Sequence, residues 1–194
     1  IFKDRFEMTP KEWKNGGYKE YSQKILLQSQ RASQSKANFK DMVPTIVKMP
    51  AIESFYIRNK GYNVNIKETW QKLQTWILTN DITSYKRIAL FHDNPTITPL
   101  NECQYIGCIM VEDKKSVKSD RLPNFKIADG VYAKFDLKGK TGDVLPFIHW
   151  VYHEWLPKSE YETTTKPSYA IYNKLDFLDD SDEFDLSFYV SINF

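Results

Sequence analysis

The sequence predicts an α+β fold of two strand–helix–strand–strand units, each with an antiparallel sheet, related by a pseudo-twofold axis and preceded by a helical N-terminal segment. Three observations predict it. Slid forward by 81 residues, Arg87–Val111 lies over Ser168–Ile192 without a gap: Ile88-Ala89-Leu90-Phe91 falls on Tyr169-Ala170-Ile171-Tyr172, Glu102 on Glu183, and Tyr105, Ile109 and Val111 on Leu186, Val190 and Ile192. The repeat extends upstream, with Lys60-Gly61 over Lys138-Gly139 at an offset of 78 and Trp76 over Trp155 at 79. Within each copy the apolar period changes in the same order, from strand to helix to two strands. One such unit cannot cover its own sheet, so two should pack together. Chance likeness between two ordinary amphipathic patterns is the alternative; four elements recurring in order at nearly one spacing favour duplication, with repeats of about 50–111 and 127–192.

The elements follow in chain order. Phe2 and Phe6 share one face of a short helix, which must end before Thr9-Pro10 because proline disfavours helix in its predecessor. Pro10 then opens a new turn with Thr9 as N-cap. Asn15-Gly16-Gly17 is a breaker, and Tyr18–Gln34 reads as helix with Tyr21, Ile25 and Gln28 on one stripe. Gln28–Asn38 is rich in Ser, Gln and Lys and reads as a mobile linker, with the domain boundary near residues 36–45. Thr45–Met49 begins a strand broken by Pro50, and the alternation resumes over Phe55–Arg58. Ile66, Trp70, Leu73 and Ile77 make one helical stripe, and Leu145, Ile148, Tyr152 and Trp155/Leu156 make its companion. Tyr132–Leu137 is the strand before that second helix. In both copies a polar loop then joins two strands, the second loop carrying the acidic run Asp179–Glu183.

Composition bounds the function. The chain has 194 residues, 41% hydrophobic and 27% charged, enough for one or two domains with a core. Residues 1–48 carry ten Lys/Arg against five Asp/Glu, whereas the remainder carries seventeen against twenty. Nucleic acid would therefore meet the N-terminal quarter, if either part. No apolar run approaches the roughly 18 residues of a membrane span, and no signal peptide is visible. Cys103 and Cys108, five apart on a strand, point to opposite faces and cannot bridge there, which suits a reducing, cytoplasmic compartment. The chain opens at Ile1 inside an amphipathic pattern, as expected of a piece of something longer.

Two resemblances attach to these residues. Phe2, Lys3, Phe6, Thr9, Pro10 and Trp13-Lys14 resemble the close of the second helix-turn-helix in the AraC/XylS family of transcription regulators, with Glu7 where that family usually has Gly. From about Val47 to Phe194 the chain looks like the GyrI-like effector-binding domain. Six ordered motifs carry this likeness: Lys60-Gly61-Tyr62, Trp70 to Ile77, Asp93-Asn94-Pro95 with Thr98-Pro99, Glu154–Glu162, Pro167–Tyr172, and Asp185–Val190. The resemblance implies residues 1–14 as the remnant of an AraC-type DNA-binding domain, 15–45 as a helical or flexible linker, and 46–194 as the effector-binding domain.

The site readings follow from the aromatic content and the resemblance. In the GyrI-like family an acidic residue sits in the ligand cavity at the position of Ala170, which shares a strand face with Tyr172. Its replacement predicts a larger, more apolar floor that prefers neutral aromatic ligands to permanent cations. The candidate ligand-binding residues are Trp76, Trp155, Tyr172, Tyr189, Ala170 and Glu154, with Tyr62 and Tyr132 as further ones; core packing is the competing role for each. His149 and His153 share a helix face at metal-ligand spacing, but no third ligand accompanies them, and a solvated helix face is the expectation. The acidic run lacks the glycine and spacing of a calcium loop. No catalytic motif is present. The resulting expectation is an effector-sensing domain of a bacterial transcription regulator, not an enzyme, with no cofactor. Its partners would be a small-molecule effector and, through residues outside this sequence, DNA, with no membrane, and a homodimer left open. A hydrolase of reactive small molecules and a gyrase-inhibitor-like interaction module are the alternatives.

Overall fold

The computed structural model describes residues 1–62, 65–113, 117, 121–175 and 182–193, and the side chain of Leu175 is not described. Asp179, Asp180 and Ser181 of the acidic run lie outside these residues. The helices are α1 (Phe2–Phe6), α2 (Pro10–Glu12), α3 (Tyr18–Leu26), α4 (Gln30–Ser33), α5 (Ile66–Thr79) and α6 (Val144–Trp150). The strands are β1 (Thr45–Met49), β2 (Ile52–Lys60), β3 (Tyr85–Phe91), β4 (Gln104–Val111), β5 (Asn124–Ile127), β6 (Gly130–Lys140), β7 (Glu162–Thr163), β8 (Ser168–Leu175) and β9 (Glu183–Asn193).

The duplication is visible in the strand order. The main sheet runs β1-β6-β9-β8-β3-β4-β2-β5, with β7 added beside β9, and every pairing is antiparallel. The first unit, β2-α5-β3-β4, and the second, β6-α6-β8-β9, therefore have the same internal order: first strand, third strand, second strand. They join where β3 pairs with β8, and the register there places Ala89 opposite Ala170. Those two residues are also equivalent under the 81-residue repeat, so the pseudo-twofold axis passes between them. The edges obey the same axis. β1 runs into β2 through Pro50-Ala51 yet pairs with β6, and β5 runs into β6 through Ala128-Asp129 yet pairs with β2. Links of two residues between opposite edges require the sheet to curl into a half-barrel. β5 was not anticipated from sequence; its four residues carry too short an alternation to register.

Alternation sorts the sheet into two buried faces. Ile52, Ile88, Leu90, Ile106, Cys108, Ile127, Tyr132, Tyr169 and Tyr189 fill the concave side. The other face carries Ala89, Phe91, Tyr105, Ala170 and Phe188 and packs under Trp70, Leu73, Trp76 and Ile77 of α5 and Phe147, Ile148 and Val151 of the second helix. Cys103 and Cys108 fall on opposite faces as free thiols. The second helix keeps its predicted stripe, with Leu145, Ile148, Tyr152 and Trp155 all packed on the helix-side core. After Trp150 it continues as a π-turn, Val151–Trp155, which adds Val151 to the buried face.

The two helices sit at different heights. In the first unit Gly107 lies under α5, and a Cβ there would come to 2.9 Å from Leu73 Cδ1 and 3.0 Å from Thr69 Cγ2. The repeat-equivalent position, 81 residues on, is Phe188, so a ring holds the second helix off the sheet where a bare backbone lets α5 down onto it.

The N-terminal region follows the sequence reading as far as α2. Glu7 ends α1 in the left-handed region (φ 57°), the conformation glycine usually supplies, and Thr9 and Glu12 form a reciprocal capping box around Pro10. Gly16 bends the chain at φ 113°, and the helix resumes as α3. Where the composition suggested a mobile linker, the chain lies against the body: Ile25, Ala32 and Phe39 are buried, and Phe39 packs edge-on against Phe147. Polar composition hid this docking because only one residue per turn is apolar.

The close approach at Gly107 gives a stability prediction. Gly107→Ala should lower the unfolding free energy by about 1–3 kcal/mol, because Leu73 is fully buried and cannot retreat. Chemical denaturation checks it, and an unchanged midpoint would contradict the packing.

Candidate functional site

The helix face of the sheet holds a cleft of about 730 Å³ between the N-terminal ends of α5 and α6. Phe91 and Tyr172 line it from the two central strands. They are repeat equivalents, each two residues beyond the alanine on the axis, so the two units contribute matching aromatic positions to the floor, while Ala89 and Ala170 lie fully buried and do not line the cleft. Asn65, Ile66 and Lys67 come from the start of α5, and Thr141, Val144 and Leu145 from the start of the second helix. Tyr62, Tyr105 and Phe184 complete the aromatic lining.

The aromatic groups of the floor are fixed by one another. Tyr62, Phe91 and Tyr105 meet edge-to-face at centroid separations of 5.5 to 6.1 Å, and Trp70 stands edge-on to Tyr172 at 5.8 Å. The register of β8 against β9 shifts between Tyr172 and Lys174, and this bulge sets the aim of Tyr172. Trp70 Nε1 donates to the Tyr105 hydroxyl at 2.8 Å. Burial raises both phenols, Tyr105 well above its ordinary value and Tyr172 up to about 12 despite the opposing hydrogen bond with Tyr105. Both are therefore protonated at neutral pH, and Tyr172 brings a neutral hydroxyl to the cleft wall. Tyr62 spends its own hydroxyl on the Asp93 carbonyl at 2.5 Å. Among the described lining residues the one carboxylate is Asp182, held by Arg31 at 3.1 Å.

The sequence-derived candidates distribute unevenly around this cleft. Tyr172 and Tyr62 line it. Ala170 lies fully buried on the same face as Tyr172. Trp76 packs on Phe55 at 4.9 Å, further along α5. Trp155 packs on Phe135 and Tyr161. Tyr132 and Tyr189 lie on the concave face, where Tyr189 stacks on Tyr169 at 4.7 Å. Tyr189 was expected to offer its hydroxyl to the same cavity as Tyr172; pairing of Ala170 with Phe188 and of Tyr169 with Tyr189 puts it on the other side. Glu154 is a surface residue between Lys19 and Lys158. Phe91 was legible as the repeat partner of Tyr172, whereas Gln28–Arg31 gave no sequence signal.

The paired histidines are not a solvated helix face. His149 Nδ1 and His153 Nε2 lie 2.8 and 2.7 Å from the Ser22 hydroxyl, so α3 docks on them. Among the described residues no cluster of three or more His, Cys, Asp or Glu is placed to hold a metal. A smaller cavity of about 170 Å³ lies at the other end of β8, beside Thr163–Ser168.

Comparison with known proteins follows this geometry. The GyrI-like small molecule binding domain family matches residues 42–192. The chain belongs to that family. A curated DNA gyrase inhibitor from Citrobacter koseri is 22% identical over 109 residues, covering 55% of this chain and 70% of that protein. Among solved structures, EcmrR in a DNA complex superposes with a TM-score of 0.62 at 14% identity, covering 98% of this chain and 79% of that one. SAV2435 bound to tetraphenylphosphonium gives 0.52 at 11% identity, covering 77% and 93%. These structural likenesses show the GyrI-like fold. No helix among the described residues is long and apolar enough to cross a membrane.

Docking of α3 on two imidazoles makes stability depend on pH. Burial, with His153 next to it, lowers His149 to about 4 from an ordinary 6.5, and His153 is also lowered, by burial and then Lys19, with Glu154 opposing. Above pH 6.5 both states hold neutral imidazole. As pH falls from 6.5 towards 4, the unfolded chain binds a proton that the fold refuses, so stability drops by an amount on the order of 3 kcal/mol and then levels. Denaturation of wild type and His149→Gln across this window should show a slope that is shallower in the variant, where only His153 remains; parallel curves would contradict it.

Proposed function

We propose that this chain is the effector-sensing domain of a bacterial transcription regulator of the AraC family, and that it binds a flat, neutral aromatic molecule carrying a hydrogen-bond acceptor. The cleft on the pseudo-twofold axis is the observation that carries this reading. Its floor is aromatic, its offered polar group is the Tyr172 hydroxyl, and its described carboxylate is already engaged by Arg31. A permanent cation would lose its hydration there without gaining a counter-charge, at a cost of several kcal/mol. Flat rings gain stacking on Phe91 and Tyr172 instead.

The regulator reading draws on two supports. Residues 1–14 carry the AraC-like text and fold as α1, the Thr9 capping box and α2, consistent with the end of a helix-turn-helix domain. A GyrI-like relative of known structure, EcmrR, forms a complex with DNA. DNA contact would come through residues outside this sequence, and the setting would be cytoplasmic. Binding without catalysis fits the alanine at position 170, where the family resemblance places the acid.

Calorimetric titration with a matched pair of dyes, one neutral and one quaternary ammonium, tests the ligand class. Wild type should prefer the neutral dye, and Ala170→Glu should shift the preference towards the cation by about 1–3 kcal/mol. A wild type that prefers the cation would overturn the reading.

A further inference from the structure

The repeat supplies the floor and two sides of the cleft. The remaining side comes from outside the repeat, from Gln28, Ser29, Gln30 and Arg31. We infer that this stretch is part of the binding site, and that ligand binding and docking of the N-terminal arm, residues 18–35, stabilise one another. The inference rests on the cleft being the ligand site.

The arm is held at several points over both units. Ser22 meets His149 and His153 of the second unit. Gln28 Oε1 accepts from the backbone N–H of Leu100 in the first unit, at 3.2 Å. Arg31 pairs with Asp182, and Ser35 donates to Asp143 at 2.6 Å. Beneath Arg31 the second unit presents Gly142, where a Cβ would stand 2.7 Å from the Arg31 carbonyl oxygen and 3.1 Å from its carbon. This is backbone against backbone, so any side chain at 142 must displace the arm.

The chemistry of this wall complements the floor. Gln28 uses its oxygen on Leu100, which leaves its amide N–H groups as donors, and the Arg31 guanidinium adds more. Ser29 is committed as the N-cap of α4 through Ala32 N–H. A ligand that touches these groups only when the arm is docked must favour the docked state, and docking must raise its affinity equally. Because the arm joins α1 and α2 to the sheet, occupancy of the cleft fixes where those helices stand.

The neutral fluorophore N-phenyl-1-naphthylamine tests this in two ways. Fluorescence titration compares wild type with Gly142→Ala, Arg31→Ala and Tyr172→Ala, and amide hydrogen exchange follows residues 18–35 with and without saturating probe. Gly142→Ala should weaken binding about tenfold and Arg31→Ala severalfold, and the probe should slow exchange in the arm. Arg31 is an exposed residue, so its variant keeps the test decisive if Gly142→Ala fails to fold. Binding that Tyr172→Ala removes but Gly142→Ala and Arg31→Ala leave unchanged would overturn the arm's role while keeping the cleft. Exchange in the arm that is unchanged or faster with probe would do the same. A wild type that takes up no probe, or a Tyr172→Ala protein that binds as wild type does, would overturn the cleft and the inference with it.

Discussion

The antiparallel pairing of β3 with β8, centred on Ala89 opposite Ala170, is the constraint from which the architecture follows. It joins the two units along a symmetry axis, with two small, fully buried side chains on the helix-covered face. The flanking Phe91 and Tyr172, one from each unit, line the cleft from the two central strands. The swapped edge strands β1 and β5 then curl the sheet, so that its concave face closes over the Tyr132, Tyr169 and Tyr189 cluster and its convex face is left to the helices.

Much of the fold was legible because both of its periods were written twice. Two helices with apolar stripes and two strand pairs, recurring at nearly one offset, predicted the units, their common strand order and the helices on one layer. Local chemistry also read correctly at Thr9-Pro10 and at the Cys103/Cys108 faces. Register did not. Nothing in the alternation of β9 says whether Phe188 or Tyr189 lies opposite Ala170, and that single step decides which face Tyr189 serves. The π-turn after Trp150 was also hidden, since a wider turn leaves no mark on composition.

The candidate site was legible in its centre and not at its rim. Ala170, Tyr172 and Tyr62 could be singled out, and the offset of 81 pointed from Tyr172 to Phe91. Trp76 and Trp155 were singled out for their size, but size also suits core packing, which is where they lie. The arm could not be read because its contacts are long-range and polar: Ser22 with the histidine pair, Gln28 with a backbone N–H, Arg31 with Asp182. Such contacts have no period in sequence. They also give the histidine spacing a structural role, since His149 and His153 receive α3.

In the proposed mode of binding, a neutral aromatic ligand sits in the cleft between Phe91 and Tyr172. The most direct measurement is a crystal structure with a brominated neutral aromatic such as 6-bromo-2-naphthol, with the bromine located by anomalous scattering. The peak is expected between Phe91 and Tyr172, within the cleft walled by Gln28 and Arg31. A peak in the smaller cavity beside Thr163–Ser168, or on the outer surface with the axial cleft empty, would contradict it.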